Sequence, residues 1–393
     1  MRPKTGLPKR KALRRMPIFQ YGMREHPEVK SILHPNTQDL PVADGFSVMS
    51  MFCGCGGLDL GFLGGFTYID TTYPALPFNI LQALDNDERC IETYRLNIGN
   101  HGVNGDLTSI PASSLPKARV LIGGFPCQDF SSSGPKVGFS GDRGMLYKVL
   151  LNYMVEHQPD MVVAENVPHL ASLRDGHYLE TILTEFQEAG YNFTVWNLFA
   201  PDFGVSQSRR RLFLVGTRSD LGGTPLPPIP SFQLNHLPIE HAIDDLKCVD
   251  DERVPNQSQY FVASKATAGG GQGDHSNEKG KLAYLIRANA KARIQFHYEL
   301  DRRLTVRECA RLQSFPDQFV FPFSAMSNMT QIGNAVPPVL AHAVASVVAQ
   351  HLAFLDKGGR LPVVGFDLAL RQDVLKRTQT RECIKVSQLQ LFL

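Results

Sequence analysis

The residues best suited to chemistry converge on one thiol. Cys127 lies at the centre of Gly-Phe-Pro-Cys-Gln-Asp-Phe-Ser-Ser-Ser-Gly, residues 124–134, soon after the apolar run Val120-Leu121-Ile122. Such a run reads as a strand buried on both faces, which places the cysteine where a strand ends. In an open α/β sheet that edge binds ligands. A free thiol of pKa about 8.5 is only a few per cent thiolate at neutral pH, yet it is already a strong nucleophile. A lone cysteine is more often a small buried hydrophobe, so its neighbours decide. A second apolar run, residues 161–164, delivers Glu165 in Glu165-Asn166-Val167-Pro168. If the two strands are neighbours, an acid and a thiol meet at one edge; if not, Glu165 caps a turn. Arg209, Arg210 and Arg211 feed a third run, 212–216. On a surface three adjacent arginines make a solvated face, but at a strand start they can aim at an anion or a polar base edge.

The elements that must position these groups alternate. Residues 46–52 run straight into Cys53-Gly54-Cys55-Gly56-Gly57, and a helix is expected over 58–63. Strand, glycine turn and helix let a ligand approach backbone N–H groups closely. Asp59, however, stands where the dinucleotide fingerprint GxGxxG needs its last glycine. The run 78–84 ends in Asp85, where an acid can accept both hydroxyls of a ribose. Equally, Asp85 and Asp87 can cap the helix expected over 88–96. Gly105-Asp106-Leu107-Thr108 supplies another acid, which suits a turn as well as a site. A helix opens at Arg143-Gly144-Met145-Leu146 and reaches Glu156, and 193–198 is a further strand-like run. This rhythm over 46–218 predicts an α/β fold with a doubly wound sheet.

From Ser219 the texture changes. Gly222-Gly223 and Pro225, Pro227, Pro228 and Pro230 mark a linker, and 231–301 lacks the βα rhythm. That region holds a glycine-rich stretch, 268–273, and a basic, aromatic segment with Arg287, Lys291, Arg293, Phe296, His297 and Tyr298. It suits a surface that reads base edges, or a small irregular domain with ordinary surface arginines. Regularity returns after Arg302, where Thr305 and Glu308 are spaced as a capping box. Gln331-Ile332-Gly333-Asn334-Ala335-Val336-Pro337-Pro338 then leads into a long apolar helix ending near Leu355.

Composition bounds the class. With 393 residues, 43% hydrophobic and 20% charged, the chain is globular and long enough for two domains. The absence of an apolar run of about 18 residues and of an apolar leader predicts a soluble protein that is not exported. The seven cysteines, at 53, 55, 90, 127, 248, 309 and 383, show no zinc-type CxxC pair and read as reduced thiols. A net charge of +2 is too small to argue for nucleic acid. Yet Arg2, Lys4, Lys9, Arg10, Lys11, Arg14 and Arg15 make residues 1–45 a basic arm, suited to a polyanion or to life as a solvated tail. Residues 356–393 are an extension without a readable signal.

In order, Phe52-x-Gly54-x-Gly56-Gly57, the strand-end acid Asp85, Gly105-Asp106, Pro126-Cys127-Gln128 with Phe130-Ser131, Arg143-Gly144-x-Leu146, Glu165-Asn166-Val167, Gln207-x-Arg209-x-Arg211, Arg302-x-Leu304-Thr305-x-Arg307-Glu308 and Gln331-x-Gly333-Asn334 form a series. It resembles the motif series of the bacterial DNA (cytosine-5) methyltransferases and covers residues 46–355. The resemblance implies a Rossmann-like catalytic domain, 46–218 plus 318–355, and a smaller target-recognition domain with its hinge, 219–317. It implies S-adenosylmethionine held by Phe52, Gly54, Gly56, Gly57, Asp85, Asp106, Leu107, Pro126, Leu146, Asn334 and Val336. Asn86 belongs to the same site but departs from the pattern, since a larger apolar side chain often stands there, and residues 67–77 form a longer stretch than usual.

The chemistry implied is addition of the Cys127 thiolate to cytosine C6 while Glu165 hydrogen-bonds or protonates N3, with Arg211 and Arg209 steadying base and acid. The base must leave the duplex stack, and the 131–143 loop is the candidate lid. Gln128, Ser131, Arg143, Arg287 and Arg293 are the expected DNA contacts. Double-stranded DNA is the expected partner of a monomer in the cytoplasm, on the nucleoid, with no metal or membrane involved. The family often serves restriction systems, which makes a cognate endonuclease a candidate partner. The rivals are a tRNA cytosine-5 methyltransferase, a catalytically silent DNA-binding paralogue, and a cysteine hydrolase drawing its base from His101, His157 or His169.

Overall fold

A computed structural model describes residues 45–126, 146–247, 274–288 and 295–363. Cys127, Gln128, Ser131, Arg143, Lys291 and Arg293 lie outside the described residues, as do the basic arm, the glycine-rich stretch and the tail beyond 363. The first half runs β1 (Phe46–Met51), α1 (Gly57–Leu63), β2 (Phe66–Tyr68), β3 (Thr71–Tyr73), β4 (Phe78–Asp85), α2 (Glu88–Asn97), β5 (Gly102–Asn104) and β6 (Val120–Gly123). It continues with α3 (Tyr147–His157), β7 (Met161–Asn166), α4 (His177–Glu188), β8 (Tyr191–Phe199) and β9 (Arg210–Arg218).

Seven strands form one sheet in the order β5-β4-β1-β6-β7-β9-β8. The fold is α/β with a mostly parallel sheet, as the alternation predicts. Strand side chains point alternately to the two faces, and each face is covered. Val48, Ile80, Ile122, Val163 and Val215 join one core with Leu58, Phe62, Ile91 and Tyr94 of α1 and α2. Met49, Leu84, Leu121, Val162 and Leu214 join the other with Leu150, Met154, Ile182 and Phe186 of α3 and α4. Double coverage explains why these strands read as unbroken apolar runs.

Periodicity does not reveal that β9 is reversed. It pairs antiparallel with both β7 and β8, between which it lies. Its beginning therefore shares an edge with the ends of the parallel strands. The stretch 67–77 forms the β2–β3 ribbon, and its Tyr73 and Phe66 rings pack against His342.

Beyond β9 the chain has no regular structure over 222–230. Gly223 donates to Leu361 O at the end of β9, while Phe232 donates to Asp202 O beside the end of β8. The strap between them thus climbs the height of the sheet, with Leu226 and Ile229 exposed. Among the described residues, the region that follows holds α5 (Ile239–Ile243) and the two-residue strands β10 (His275–Ser276) and β11 (Gln295–Phe296). Then come α6 (Val306–Leu312), α7 (Ala325–Asn334) and α8 (Pro338–Asp356). The expected capping box opens α6. Cys309 and Leu312 of α6 share the core of α1 and α8. The stretch Ala325–Asp356 is apolar enough to cross a membrane, but 67% of its most apolar window is buried within the fold, which is the character of a core helix.

Candidate active site

The site begins where β1 stops. Phe52 adopts φ 55 and Gly54 φ 54; for a bulky residue such as Phe52 this left-handed turn costs on the order of 1–3 kcal/mol and marks functional loops. Gly54 N–H donates to Asp85 Oδ2 at 2.9 Å, and Asp87 N–H donates to Asp85 Oδ1 at 2.9 Å. Asp87, not Asp85, caps α2, accepting from Arg89 N–H at 2.9 Å. The capping reading thus falls to Asp87 alone, while Asp85 joins the β1 turn to the start of α2. Burial pushes the Asp85 carboxyl up, against the pull of its backbone donors. Asn86 is exposed at the same edge.

Gly57 starts α1 so close to the chain returning from α7 that a Cβ would lie 2.4 Å from Val336 O. This brings buried Val336 beside the β1 turn, with exposed Asn334 just before it. Gly56 needs its freedom too, at φ 93 and against the Tyr94 and Ile98 side chains. Asp106 is exposed, and its carboxylate accepts from the Thr108 N–H and hydroxyl, holding its own turn; Leu107 is buried behind it. Pro126 and Leu146, half-buried, border the described chain on either side of the thiol-bearing loop.

Strands β6 and β7 are neighbours, in the register Gly123 to Ala164. The next residue, Glu165, is buried, and its Oε2 lies 3.0 Å from where a Cβ on Gly124 would stand. Glu165 thus faces the backbone three residues before Cys127. Asn166 braces the same loop, donating to Phe125 O at 3.0 Å. The reversed strand supplies the cation: Arg211 Nε lies 2.6 Å from Glu165 Oε1. Parity explains the meeting, since Glu165 continues the Met161, Val163 face of β7 while Arg211 continues the Phe213, Val215 face of β9, and all four apolar residues belong to one core. Burial pushes the Glu165 carboxyl up, opposed by Arg211 and then Arg209. Burial likewise lowers Arg211, opposed by Glu165. A carboxyl held this way can keep or give a proton where an exposed one would simply be ionised.

Arg209 reaches Glu165 through its charge and not through a hydrogen bond. Its guanidinium donates to Ile286 O at 3.0 Å, Gly333 O at 2.9 Å and Ala335 O at 2.9 Å, so its hydrogen bonds go to main chain and not to the acid. Arg287 is exposed, as a DNA contact requires, but Phe296 and His297 are buried and do not belong to a reading surface. The three histidines have partners of their own: His101 meets Tyr94, His157 meets Ala112 O, and His169 meets Ser172.

Sequence reasoning missed Gln207, Gln313 and Asp59 as buried polar groups. Gln207 and Gln313 are bound to each other, Nε2 to Oε1, at 2.6 Å, and Asp59 accepts from the Tyr94 hydroxyl at 3.0 Å. The sequence offered a signal only for Asp59, a polar side chain between Leu58 and Leu60; Gln207 stands between Ser206 and Ser208.

Comparison with known proteins identifies the family. The sequence matches the family described as C-5 cytosine-specific DNA methylase over residues 46–269 and 264–350. It is 30% identical over 343 residues to the Type II methyltransferase M.FnuDI of Fusobacterium nucleatum, covering 79% of this chain and 96% of that one. To the Type II methyltransferase M.NgoFVII of Neisseria gonorrhoeae it is 33% identical over 325 residues, covering 74% and 83%. Among solved structures, an E. coli prophage protein described as a DNA modification methyltransferase superposes with a TM-score of 0.62 at 19% identity, covering 79% of this chain and all of that one. The Entamoeba histolytica methyltransferase EhMeth gives a TM-score of 0.57 at 15% identity, covering 78% of this chain and 99% of its own. A match spanning both the strand-built half and the returning helices leaves one conclusion: the chain belongs to the C-5 cytosine-specific DNA methylase family and is a DNA cytosine-5 methyltransferase.

Proposed function

We propose that the protein methylates one cytosine within a short DNA motif, using S-adenosylmethionine and a transient bond between Cys127 and the ring. The observation that carries this reading is the buried Glu165–Arg211 pair, whose acid faces Gly124 on the loop leading to Cys127.

The residues at the β1 edge fit the methyl donor. No heavy atom lies within 4 Å of a Cβ built on Gly54, so open space stands above that turn, flanked by the half-buried Asp85 carboxylate. In this reading Phe52, Gly54, Gly56, Gly57, Asp85, Asn86, Asp106, Leu107, Pro126, Leu146, Asn334 and Val336 hold the cofactor, and Asp85 accepts the ribose hydroxyls. When bound, S-adenosylmethionine supplies an electrophilic methyl group on a sulfonium.

Cytosine C5 is a poor nucleophile until C6 is attacked. The Cys127 thiolate adds to C6 while Glu165 shares its proton with N3, which moves electron density onto C5. Arg211 fixes the Glu165 carboxyl and steadies the developing charge. Once C5 has taken the methyl group, the former sulfonium leaving as a neutral thioether, loss of the C5 proton to a base and departure of the Cys127 thiolate from C6 restore the aromatic ring. The target base must be extruded to reach this buried acid. Within the fold we assign catalysis to 46–218 with 318–355 and target recognition with its hinge to 219–317; Gln128, Ser131, Arg143, Arg287 and Arg293 are the proposed DNA contacts. Its Type II relatives support a role beside a cognate endonuclease, and a monomer acting on the nucleoid in the cytoplasm completes the reading.

The test is transfer of labelled methyl from S-adenosylmethionine to DNA of mixed sequence and to tRNA, followed by bisulfite mapping. Marks at C5 within one recurring DNA motif, abolished by Cys127→Ser, are expected. Transfer to tRNA alone, or a Cys127→Ser protein as active as wild type, would defeat the proposal.

A further inference from the structure

Just ahead of β9 the chain builds a junction whose partners are mostly backbone. Gln207 is fully buried; its Nε2 donates to Leu312 O at 2.9 Å and its Oε1 accepts from Ile286 N–H at 2.8 Å. Gln313, held by the same amide, donates on to Ala335 O at 2.5 Å. Ser208 N–H donates to Ala283 O at 2.8 Å and Ala283 N–H to Ser206 O at 3.0 Å. Arg209, 1% exposed, adds its three carbonyl contacts at residues 286, 333 and 335. Gly333 sits so tightly on the same segment that a Cβ would meet Arg287 C at 2.3 Å and Ala288 N at 2.4 Å.

These bonds tie together two parts with different tasks. Residues 283–288 belong to the proposed recognition region and include exposed Arg287. Residues 333–336 lie beside Gly57 at the proposed cofactor turn. Two residues on from Arg209, Arg211 holds Glu165. We propose that Gln207 and Arg209 are positioning residues that lock the recognition segment and the cofactor-side return onto the start of β9, so that one buried junction sets DNA-site selection and methyl-donor seating together. Arg209 hydrogen-bonds main-chain carbonyls and reaches the acid only through its charge, whereas Arg211 is paired with it directly. The inference rests on the methyl-transfer reading above.

Kinetics of labelled-methyl transfer to DNA of mixed sequence, with marks mapped by bisulfite sequencing, test it. Removing the donor leaves buried carbonyls unsatisfied. Arg209→Met is therefore expected to raise KM for both DNA and S-adenosylmethionine about tenfold, with kcat at saturation within about threefold of wild type. The ratio of marks at the wild-type motif to marks at one-base mismatches should fall about tenfold. Arg209→Lys, which keeps an ammonium donor, should recover most of each loss. A lower kcat with unmoved KM values and an unmoved ratio would overturn the proposal, because Arg209 would then act on the base or the acid. Should Arg209→Met not fold, Gln207→Asn carries the same comparison with the same deciding outcomes. Amide exchange at Ile286 supplies a readout without activity: it should quicken in Gln207→Leu, and unchanged exchange overturns the clamp. A wild-type protein that leaves DNA unmarked sinks the underlying reading; marked DNA with unmoved variant parameters sinks this inference alone.

Discussion

Glu165 is held between opposed demands, since burial favours its neutral form while Arg211 favours its charged one. Glu165→Gln keeps the shape but removes the exchangeable carboxyl proton, so kcat should fall about 10²-fold or more in single-turnover measurements. The same change leaves Arg211 buried without its counter-ion, so thermal or urea unfolding should show a loss of about 3 kcal/mol. Asp59 offers a cleaner pH test. Burial pushes its carboxyl up to about 6 from 3.8. The folded state then holds the proton more tightly than the unfolded one, so stability is full below 3.8 and is lost as pH rises through about 6. Asp59→Asn should remove that slope and stabilise the protein at pH 7 by about 2–3 kcal/mol, read from urea midpoints at pH 5 and pH 7. At this scale the acid, the arginines and the strand-end aspartate were legible in the sequence because each ends or begins an apolar run. The hydrogen bonds of Arg209 were not legible, because its partners, at residues 286, 333 and 335, lie far away along the chain and no local pattern encodes them.

Elements were legible where periodicity and punctuation agree. The strands, α2 and the capping box of α6 lie within a few residues of their expected places. Strand order was not readable in full, because an antiparallel β9 carries the same apolar run as a parallel one. The contact that fixes α1 was hidden as well. A Cβ on Gly61 would lie 2.3 Å from the Ala341 Cβ and 2.7 Å from His342 N on α8, so the two helices touch at backbone distance. Gly61→Ala must push them apart, and since α1 springs from the cofactor turn, two effects are expected together. Stability should fall by about 1–3 kcal/mol in urea titration, and KM for S-adenosylmethionine should rise; an unchanged KM would uncouple α8 from the turn.

The molecule as a whole is stitched from both ends of the chain. Residues 46–218 supply the sheet, while α8, which covers one of its faces, arrives after residue 337. A fragment ending at 218 should therefore expose that face and aggregate, as light scattering would show, and the segment 300–363 added in trans should restore solubility. Length and composition announced a large core but not that a distant helix completes it. The proline-rich strap has a consequence of its own. Gly223 is fixed near the end of β9 and Phe232 near its start, so the strap must span the length of β9, whose 9 residues make a rise of about 27 Å. Nine steps of polyproline geometry reach about 28 Å, leaving almost no slack. On that reach the strap should tolerate changed side chains but not a missing residue: losing one link is expected to draw the proposed recognition region down the sheet, away from the edge that holds Glu165 and Arg211.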